Sequence, residues 1–417
     1  MDRRRLALFV NPLLCGHHEA AWRTPGAQPE RIHSPDYYAE IARIAEKGRF
    51  DAMFMADFFA FNPAVKYSPR WELEPVTLFA AIARATSNLG FIATGSAIFA
   101  DPVEIARTFA TLDGVTGGRA AWNIVTSGDL AAAANYGFAA PIPHRERYRL
   151  GAEATSRVLA LWDGIAEAPG EAPVPRPVQG RPVLVQAGSS PDGRDFAARF
   201  AEVVFSAQWD MSHAQAFRRD LRARAVAHGR DPNSIRIVLG LAPTIAGTQA
   251  EARAKKQALD DLIVPAASLA WLDSFGIDLS AFDFDAPLPR RLGDIDLYEG
   301  IKSRFAVISD LADSTEPLTI RQLAGQLAGS RGHLSVVGTA EQVADTIEAW
   351  FTAEAVDGFM IMPQELPGDF SVFVDEVVPL LRRRGLVDAD YRGSTLRDNL
   401  GLPLSLRSAG FDTSVRA

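Results

Sequence analysis

The sequence predicts an α/β fold, a (β/α)8 TIM barrel with an insertion late in the chain, and three observations predict it. Short apolar, β-branched runs alternate with amphipathic stretches eight times between residues 6 and 384, which suits a closed barrel better than an open sheet. Hydrogen-bonding residues gather just after those runs, at the C-terminal strand ends where a barrel places its ligand. The composition, 47% hydrophobic and 23% charged over 417 residues, supplies a large core, and single barrels with insertions commonly reach this length. Residues 1–417 are expected to form a single barrel domain, with an insertion over 266–334 and a tail over 385–417.

Leu6–Val10 reads as the first strand. Ser34-Pro35 then caps a helix whose apolar positions Tyr38, Ile41, Ile44 and Ala45 recur at helical spacing. The second strand, Asp51–Ala56, ends at Asp57, and helix Pro75–Thr86 leads to strand Phe91–Ile98. Helix Val103–Leu112 leads to the strand at 119–125, which follows a Gly117-Gly118 turn and breaks at Ser127-Gly128-Asp129. Helix Arg145–Trp162, a Pro-rich linker at 168–182 and strand Val183–Ala187 come next. Ser190-Pro191 starts another helix, Glu202–Ala207 is the sixth strand, and Ala214–His228 is a helix ended by Gly229. Ile235–Leu241 makes the seventh strand, followed by a helix from Gln249 to Leu262. Rhythm fails over the insertion, which carries FDFDAPLPRRLGD, and resumes with helix Thr339–Phe351, strand Asp357–Met362 and helix Phe370–Arg384.

The net charge of −8, with no basic block to offset it, argues against nucleic-acid binding. A single cysteine, Cys15, excludes an intramolecular disulfide framework and a Cys-based zinc site. The apolar run behind MDRRR is too short for a signal peptide core, and no stretch has membrane length. A cytoplasmic protein is expected. The sequence contains no GxGxxG after a strand, no GxxxxGK[ST], no GxSxG elbow and no paired-carboxylate spacing.

Candidate site residues stand at the strand ends. Asn123, Thr126, Ser127 and Asn135 surround the break after the fourth strand; they are either a ligand site or the caps of the next helix. AGSSPDG, with Ser189 and Ser190 ahead of Pro191, opens a helix whose free N–H groups suit an anion such as phosphate, although a plain N-cap would look much the same. His144 and Tyr148 lie one turn apart at the start of the preceding helix and could reach the same anion, or form a solvated first turn. Asp57 is either a cap or a polar group facing the cavity. His17 and His18 follow the first strand. Adjacent residues on a strand point to opposite sides and no HExxH or second pair accompanies them, so no metal is expected. One of the two is expected to contact the reacting molecule.

The runs NPLLCGHHEAAWR, DYYAEIARIAEKGRFDAMFMAD, GRAAWNIVTS with ANYGF, HRERY, GRPVLVQAGSSPDGRDFAAR, VVGTAEQVADTIEAWF, DGFMIMP and RRGLVDADYRGSTLRDNLGLP resemble the flavin-dependent monooxygenases typified by nitrilotriacetate monooxygenase component A. That group lies in the bacterial-luciferase-like superfamily and includes dibenzothiophene-sulfone, EDTA and pristinamycin-synthase relatives. The resemblance spans nearly the whole chain. It implies a (β/α)8 barrel, FMN used as FMNH2, O2 as co-substrate, a separate NAD(P)H:FMN reductase and a small organic substrate. It also implies that Asp57, Thr94, Asn123, His144, Tyr148, Ser189 and Ser190 contact the flavin, with Ser127 a weaker addition. A homo-oligomer, dimer or tetramer, is expected. Relatives carry a longer segment between Trp162 and the VLVQAGSS strand, so the shortened 163–182 stretch bears on substrate access.

Reduced flavin chemistry needs an apolar, closable cavity, and Phe54, Phe58, Phe59, Phe99 and Trp122 are placed to wall it, or to be ordinary core. Two rival readings stand beside the FMNH2-dependent monooxygenase: a deazaflavin F420-dependent oxidoreductase of the same superfamily, and a flavin-binding barrel without turnover.

Overall fold

The computed structural model describes residues 4–61, 63–69, 73–140, 142–165, 174–274, 276–289, 292, 308–309 and 318–403. Its strands are β1 (Ala7–Val10), β2 (Ala52–Met55), β3 (Gly90–Ser96), β4 (Ala120–Val125), β5 (Val183–Gln186), β6 (Val203–Ser206), β7 (Arg236–Ile245), β8 (Leu334–Gly338) and β9 (Gly358–Ile361). β1 to β7 pair in sequence, all parallel, and β9 closes the ring between β7 and β1. The result is an eight-stranded parallel barrel, and the eight expected strands are its staves.

β8 is additional. It pairs only with the outer half of β7, from Leu241↔Leu334 to Ile245↔Gly338, whereas β6 and β9 pair with the inner half. Among the described residues the outer half therefore has a single neighbouring strand, an edge condition that tolerates Pro243 with its missing N–H. This strand lies at the end of the stretch taken as insertion, where LSVVG runs directly into the cap of the next helix.

The helices are α1 (Pro35–Lys47), α2 (Pro75–Ile82), α3 (Pro102–Thr116), α4 (Leu130–Asn135), α5 (His144–Trp162), α6 (Pro191–Phe200), α7 (Met211–Ala227), α8 (Gln249–Asp260), α9 (Pro265–Asp273), α10 (Ile320–Ser330), α11 (Ala340–Thr352), α12 (Gly368–Val372), α13 (Val378–Arg383) and α14 (Leu396–Leu400). The π-helical turn Phe373–Val377 joins α12 to α13. Of the starts read from sequence, Pro35 and Pro191 occupy first turns and Ser190 caps α6, whereas Ser34 makes no side-chain cap bond; the structure adds Asp101, which accepts from Val103 N–H ahead of Pro102, and Thr339, which forms a capping box with Gln342. Part of the expected insertion, 275, 290–291, 293–307 and 310–317, lies outside the described residues, as do 168–173 of the linker and 404–417 of the tail. The described parts of the insertion hold α9 and α10, whose Trp271, Leu272, Leu323 and Leu327 share a small buried cluster.

Both faces of the barrel strands are buried, as parallel sheets require. Leu8, Met53, Phe91, Trp122 and Leu239 point outward into the layer between strands and helices. Phe9, Phe54, Ile92, Ala121, Val185 and Val238 point inward, and Leu396, Leu400 and Leu402 join them from the N-terminal end. The tail thus supplies a floor. Arg397, 1% exposed, donates to both Glu202 oxygens (2.5 and 3.0 Å) and holds α14 there. Among the described residues no helix is long and apolar enough to cross a membrane.

Candidate active site

Alternation along β3 and β4 turns Thr94 and Asn123 toward the barrel axis, in register with each other. Thr94 Oγ donates to Met55 O (2.8 Å), which spends its only proton, so it accepts from Asn123 Nδ2 (2.9 Å). This fixes the amide with Oδ1 pointing away. That oxygen is buried and has no hydrogen-bond partner among the described residues. An unsatisfied buried acceptor costs about 1–3 kcal/mol, so the site holds an acceptor that a bound N–H or O–H would satisfy.

The second cluster forms where α5 meets the start of α6. Ser190 caps α6 by accepting from Gly193 N–H (3.1 Å), and His144 Nε2 lies 3.4 Å from its Oγ. His144 Nδ1 faces Asp192 at 3.1 Å. Tyr148 packs against His144 with ring centroids 5.0 Å apart and hydrogen-bonds the side chains of Ser190 and Thr126. Burial raises the Tyr148 phenol above its ordinary range, and these bonds oppose the shift; the hydroxyl remains protonated at neutral pH. Two glycines make room for it, since a Cβ on Gly188 or Gly193 would stand 2.9 or 2.8 Å from Tyr148 Oη. Ser189 is half-buried beside the cap. One member was not anticipated: Arg147, 5% exposed, lays its guanidinium against Gly128, where any Cβ would overlap it. The structure brings His144, Tyr148 and Ser190 together as the sequence suggests.

Ser127 adopts a left-handed conformation (φ 37°) and donates to Ser96 Oγ (3.0 Å), which also accepts from the N–H groups of Ile98 and Phe99. Asp57 is a turn former: Oδ1 accepts from Phe59 N–H (3.2 Å), and Phe59 is left-handed (φ 58°). Burial raises the Asp57 carboxyl above its ordinary value, with the Phe59 N–H opposing and Glu74 adding to the shift. Phe59, Phe99 and Tyr136 pack together over these loops, Phe99 and Tyr136 stacked at 4.6 Å. Phe54 faces Phe205 inside the barrel at 6.1 Å, whereas Phe58 is 50% exposed. Trp122 takes the core alternative. It donates to Gly95 O and packs on Phe109 and Trp162 in the helix layer, because its neighbour Asn123 takes the inward position.

The two histidines after β1 separate. His18 is locked away from the axis: its Nδ1 accepts from Ala20 N–H (3.2 Å) and its Nε2 meets Asp260 (3.1 Å), whose other oxygen binds Lys256 (2.6 Å). His17 lies edge-on to His333 with ring centroids 6.4 Å apart, and His333 stacks on Phe205 at 5.2 Å. His333 is a buried imidazole that the sequence reading passed over. A small open cleft beside this loop is lined by residues including Cys15, His18, Trp22 and Arg331. Burial pushes the Cys15 thiol up to about 11, which keeps it protonated and unreactive. Among the described residues no group of three or more His, Cys, Asp or Glu side chains could hold a metal ion.

A sequence profile described as luciferase-like monooxygenase matches residues 13–358. The chain is 40% identical to N-acetyl-S-(2-succino)cysteine monooxygenase of Bacillus subtilis (strain 168), over 96% of this chain and 97% of that one. It is also 40% identical to nitrilotriacetate monooxygenase component A of Aminobacter aminovorans, over 93% and 94% of the two chains. Among solved structures, a riboflavin lyase with modified FMN and riboflavin superposes with a TM-score of 0.81 at 29% identity, covering 96% of each chain.

Proposed function

The chain belongs to the luciferase-like monooxygenases, and from that membership we propose that it is the oxygenase component of a two-component, FMNH2-dependent monooxygenase. The substrate is a small organic molecule, and a separate NAD(P)H:FMN reductase supplies the reduced flavin. The observation that carries the reading is the assembly of Ser190, Tyr148 and His144 at the N-terminus of α6, where Ser190 is also the cap. Three side-chain groups and the helix dipole converge there on one small volume, the arrangement a phosphate monoester needs.

The residues fit FMN in two further respects. The unpartnered Oδ1 of Asn123 offers the interior an acceptor, suited to a ring N–H rather than to an anion. Phe59, Phe99 and Tyr136 add an aromatic layer over these loops. Asp57, Thr94, Asn123 and Ser127 would hold the ring end, and His144, Tyr148, Ser189 and Ser190 the phosphate end. When bound, reduced FMN supplies two electrons, so that one oxygen atom of O2 enters the substrate and the other leaves as water. The chain's own part is to bind, orient and keep dry. With Thr94 and Asn123 fixed by each other and Tyr148 confined between glycines, these groups are set before any ligand arrives.

The test is a titration of the purified chain with FMN, riboflavin and F420. Tight FMN binding, with riboflavin weaker and F420 absent, is expected. Ser190→Ala should weaken FMN by about 1–3 kcal/mol, the worth of a hydrogen bond to a charged group, and leave riboflavin nearly unchanged. Equal affinity for FMN and riboflavin in wild type and variant would reject the phosphate site. Product formation from a panel of candidate substrates with NADH, FMN and an added reductase tests oxygenation itself.

A further inference from the structure

β5 ends in a buried carboxamide that stands beside the cluster of Ser190, Tyr148 and His144. Gln186 pairs in register with Ile124 of β4 and Val204 of β6. Its neighbour Val185 packs inside the barrel, so alternation turns Gln186 outward, toward the layer where α5 and α6 begin. There it is 4% exposed. One bond orients the carboxamide: Gly188 N–H donates to Oε1 (2.7 Å). The atom that accepts from an N–H is the oxygen, so the NH2 end is fixed as well. Among the described residues, Nε2 donates to no partner. Its position is marked by Gly188, where an added Cβ would stand 2.5 Å from Nε2, 2.9 Å from Tyr148 Oη and 2.9 Å from Gly193 Cα in the first turn of α6. The amide, the phenol and the start of α6 thus border one gap, and Ser190 caps that same turn by accepting from Gly193 N–H.

We propose that Gln186 is a further phosphate-contacting residue, which uses Oε1 to hold the turn at Gly188 and Nε2 to donate to a terminal oxygen of the flavin phosphate. The inference rests on the FMN reading above and adds to it a group that distinguishes FMN, which ends in a phosphate, from riboflavin, which ends in a hydroxyl. A buried donor without an acceptor is costly, and a phosphate oxygen is an acceptor that satisfies it. The hydroxyls of the cluster are partly committed already. Ser190 Oγ takes the Gly193 N–H, and Tyr148 hydrogen-bonds the side chains of Ser190 and Thr126. Hydroxyls also carry lone pairs that can face an anion, whereas an amide nitrogen only donates. The carboxamide is neutral, so it leaves no charge to bury before the anion arrives. With Oε1 pinned, its donor is set in advance.

The experiment titrates the full chain with FMN and with riboflavin, in the wild type and in two variants. Gln186→Glu keeps the length of the side chain and an oxygen for the Gly188 N–H, but has no Nε2. Gln186→Met keeps the length and brings no charge. In both variants FMN is expected to bind about 10- to 100-fold more weakly, the worth of a hydrogen bond to a charged group, with riboflavin close to its wild-type affinity. FMN bound by Gln186→Glu as tightly as by the wild type would overturn the proposal, because holding Gly188 would then be the whole role. Weak FMN binding in Gln186→Glu beside wild-type binding in Gln186→Met would overturn it too, as the mark of an added repulsive charge and not of a missing donor. Equal loss of both flavins would show that Gln186 only supports the strand end. The wild type reads the FMN assignment separately. Equal affinity for the two flavins there would remove the phosphate site and this proposal with it, whereas a preference for FMN that both variants retain would remove Gln186 alone.

Discussion

At the scale of single residues, the site is built from side chains whose freedom has been spent. Thr94 gives its proton to Met55 and thereby dictates the orientation of Asn123; His18 has both ring nitrogens engaged and so is no candidate to share in chemistry at the axis. Asp57 shows the opposite economy. It forms its turn with one oxygen, yet burial disfavours its charge. A carboxyl with a raised folded-state value holds its proton more tightly in the folded chain, so ionisation lowers stability as pH rises from the ordinary aspartate value, about 3.9, through the raised one. Asp57→Asn keeps an oxygen for the Phe59 N–H and has no charge to bury. Its melting temperature should exceed wild type at neutral pH, and the two should converge as pH falls toward 4. Parallel curves of melting temperature against pH for the two proteins would contradict this. Residue types alone led the reading from sequence to Asn123, His144, Tyr148 and Ser190, because each stands at a strand end or helix start. His333 escaped it: a lone histidine between Gly332 and Leu334 has no sequence partner, and the ring it stacks on, Phe205, is far away in the chain.

At the scale of elements, the staves were legible because each is a short apolar run set off by turn residues. Which face of a stave looks inward was not, since both faces are buried and apolar. Trp122 was left between cavity wall and core for that reason, although its adjacency to the inward Asn123 carried the answer. β8 was missed because its partner is the far half of an unusually long β7. The floor helix α14 was missed because its apolar residues are few and its stability comes from a distant strand. That origin can be measured. Arg397 is buried, paired with Glu202 and bonded to the carbonyls of Arg181 and Pro403, so Arg397→Ala leaves Glu202 without its charge partner and loosens the floor. A loss of about 3–5 kcal/mol is expected for breaking a buried pair from one side. The exposed pair Arg321 with Asp285 serves as control, with Arg321→Ala leaving the urea midpoint close to that of the wild type. Urea unfolding of the two variants should therefore differ widely; similar midpoints would mean that the Arg397 network does not hold the barrel floor.

At the scale of the whole molecule, the architecture bears on where the electrons come from. A chain that reduced its own flavin would need a second nucleotide site, and a dinucleotide site usually takes a βαβ unit with a glycine-rich turn between strand and helix. Every strand among the described residues belongs to the one barrel sheet. The glycines that follow strands serve other ends: Gly128 admits Arg147, and Gly188 admits the Tyr148 hydroxyl. The cluster proposed for the phosphate at α6 has one helix terminus and suits a single phosphate, so on that proposal nicotinamide and FMN would have to compete for it. Relatives point the same way, since the nitrilotriacetate enzyme is itself named as one component. We therefore expect that the purified chain with FMN and NADH alone oxidises no NADH above the rate seen without protein. Addition of a flavin reductase should start both NADH oxidation and oxygen uptake, in proportion to the reductase and with no requirement for a fixed ratio of the two proteins. Steady NADH consumption by the chain with FMN, matched by product, would place the reductive half of the reaction inside this barrel.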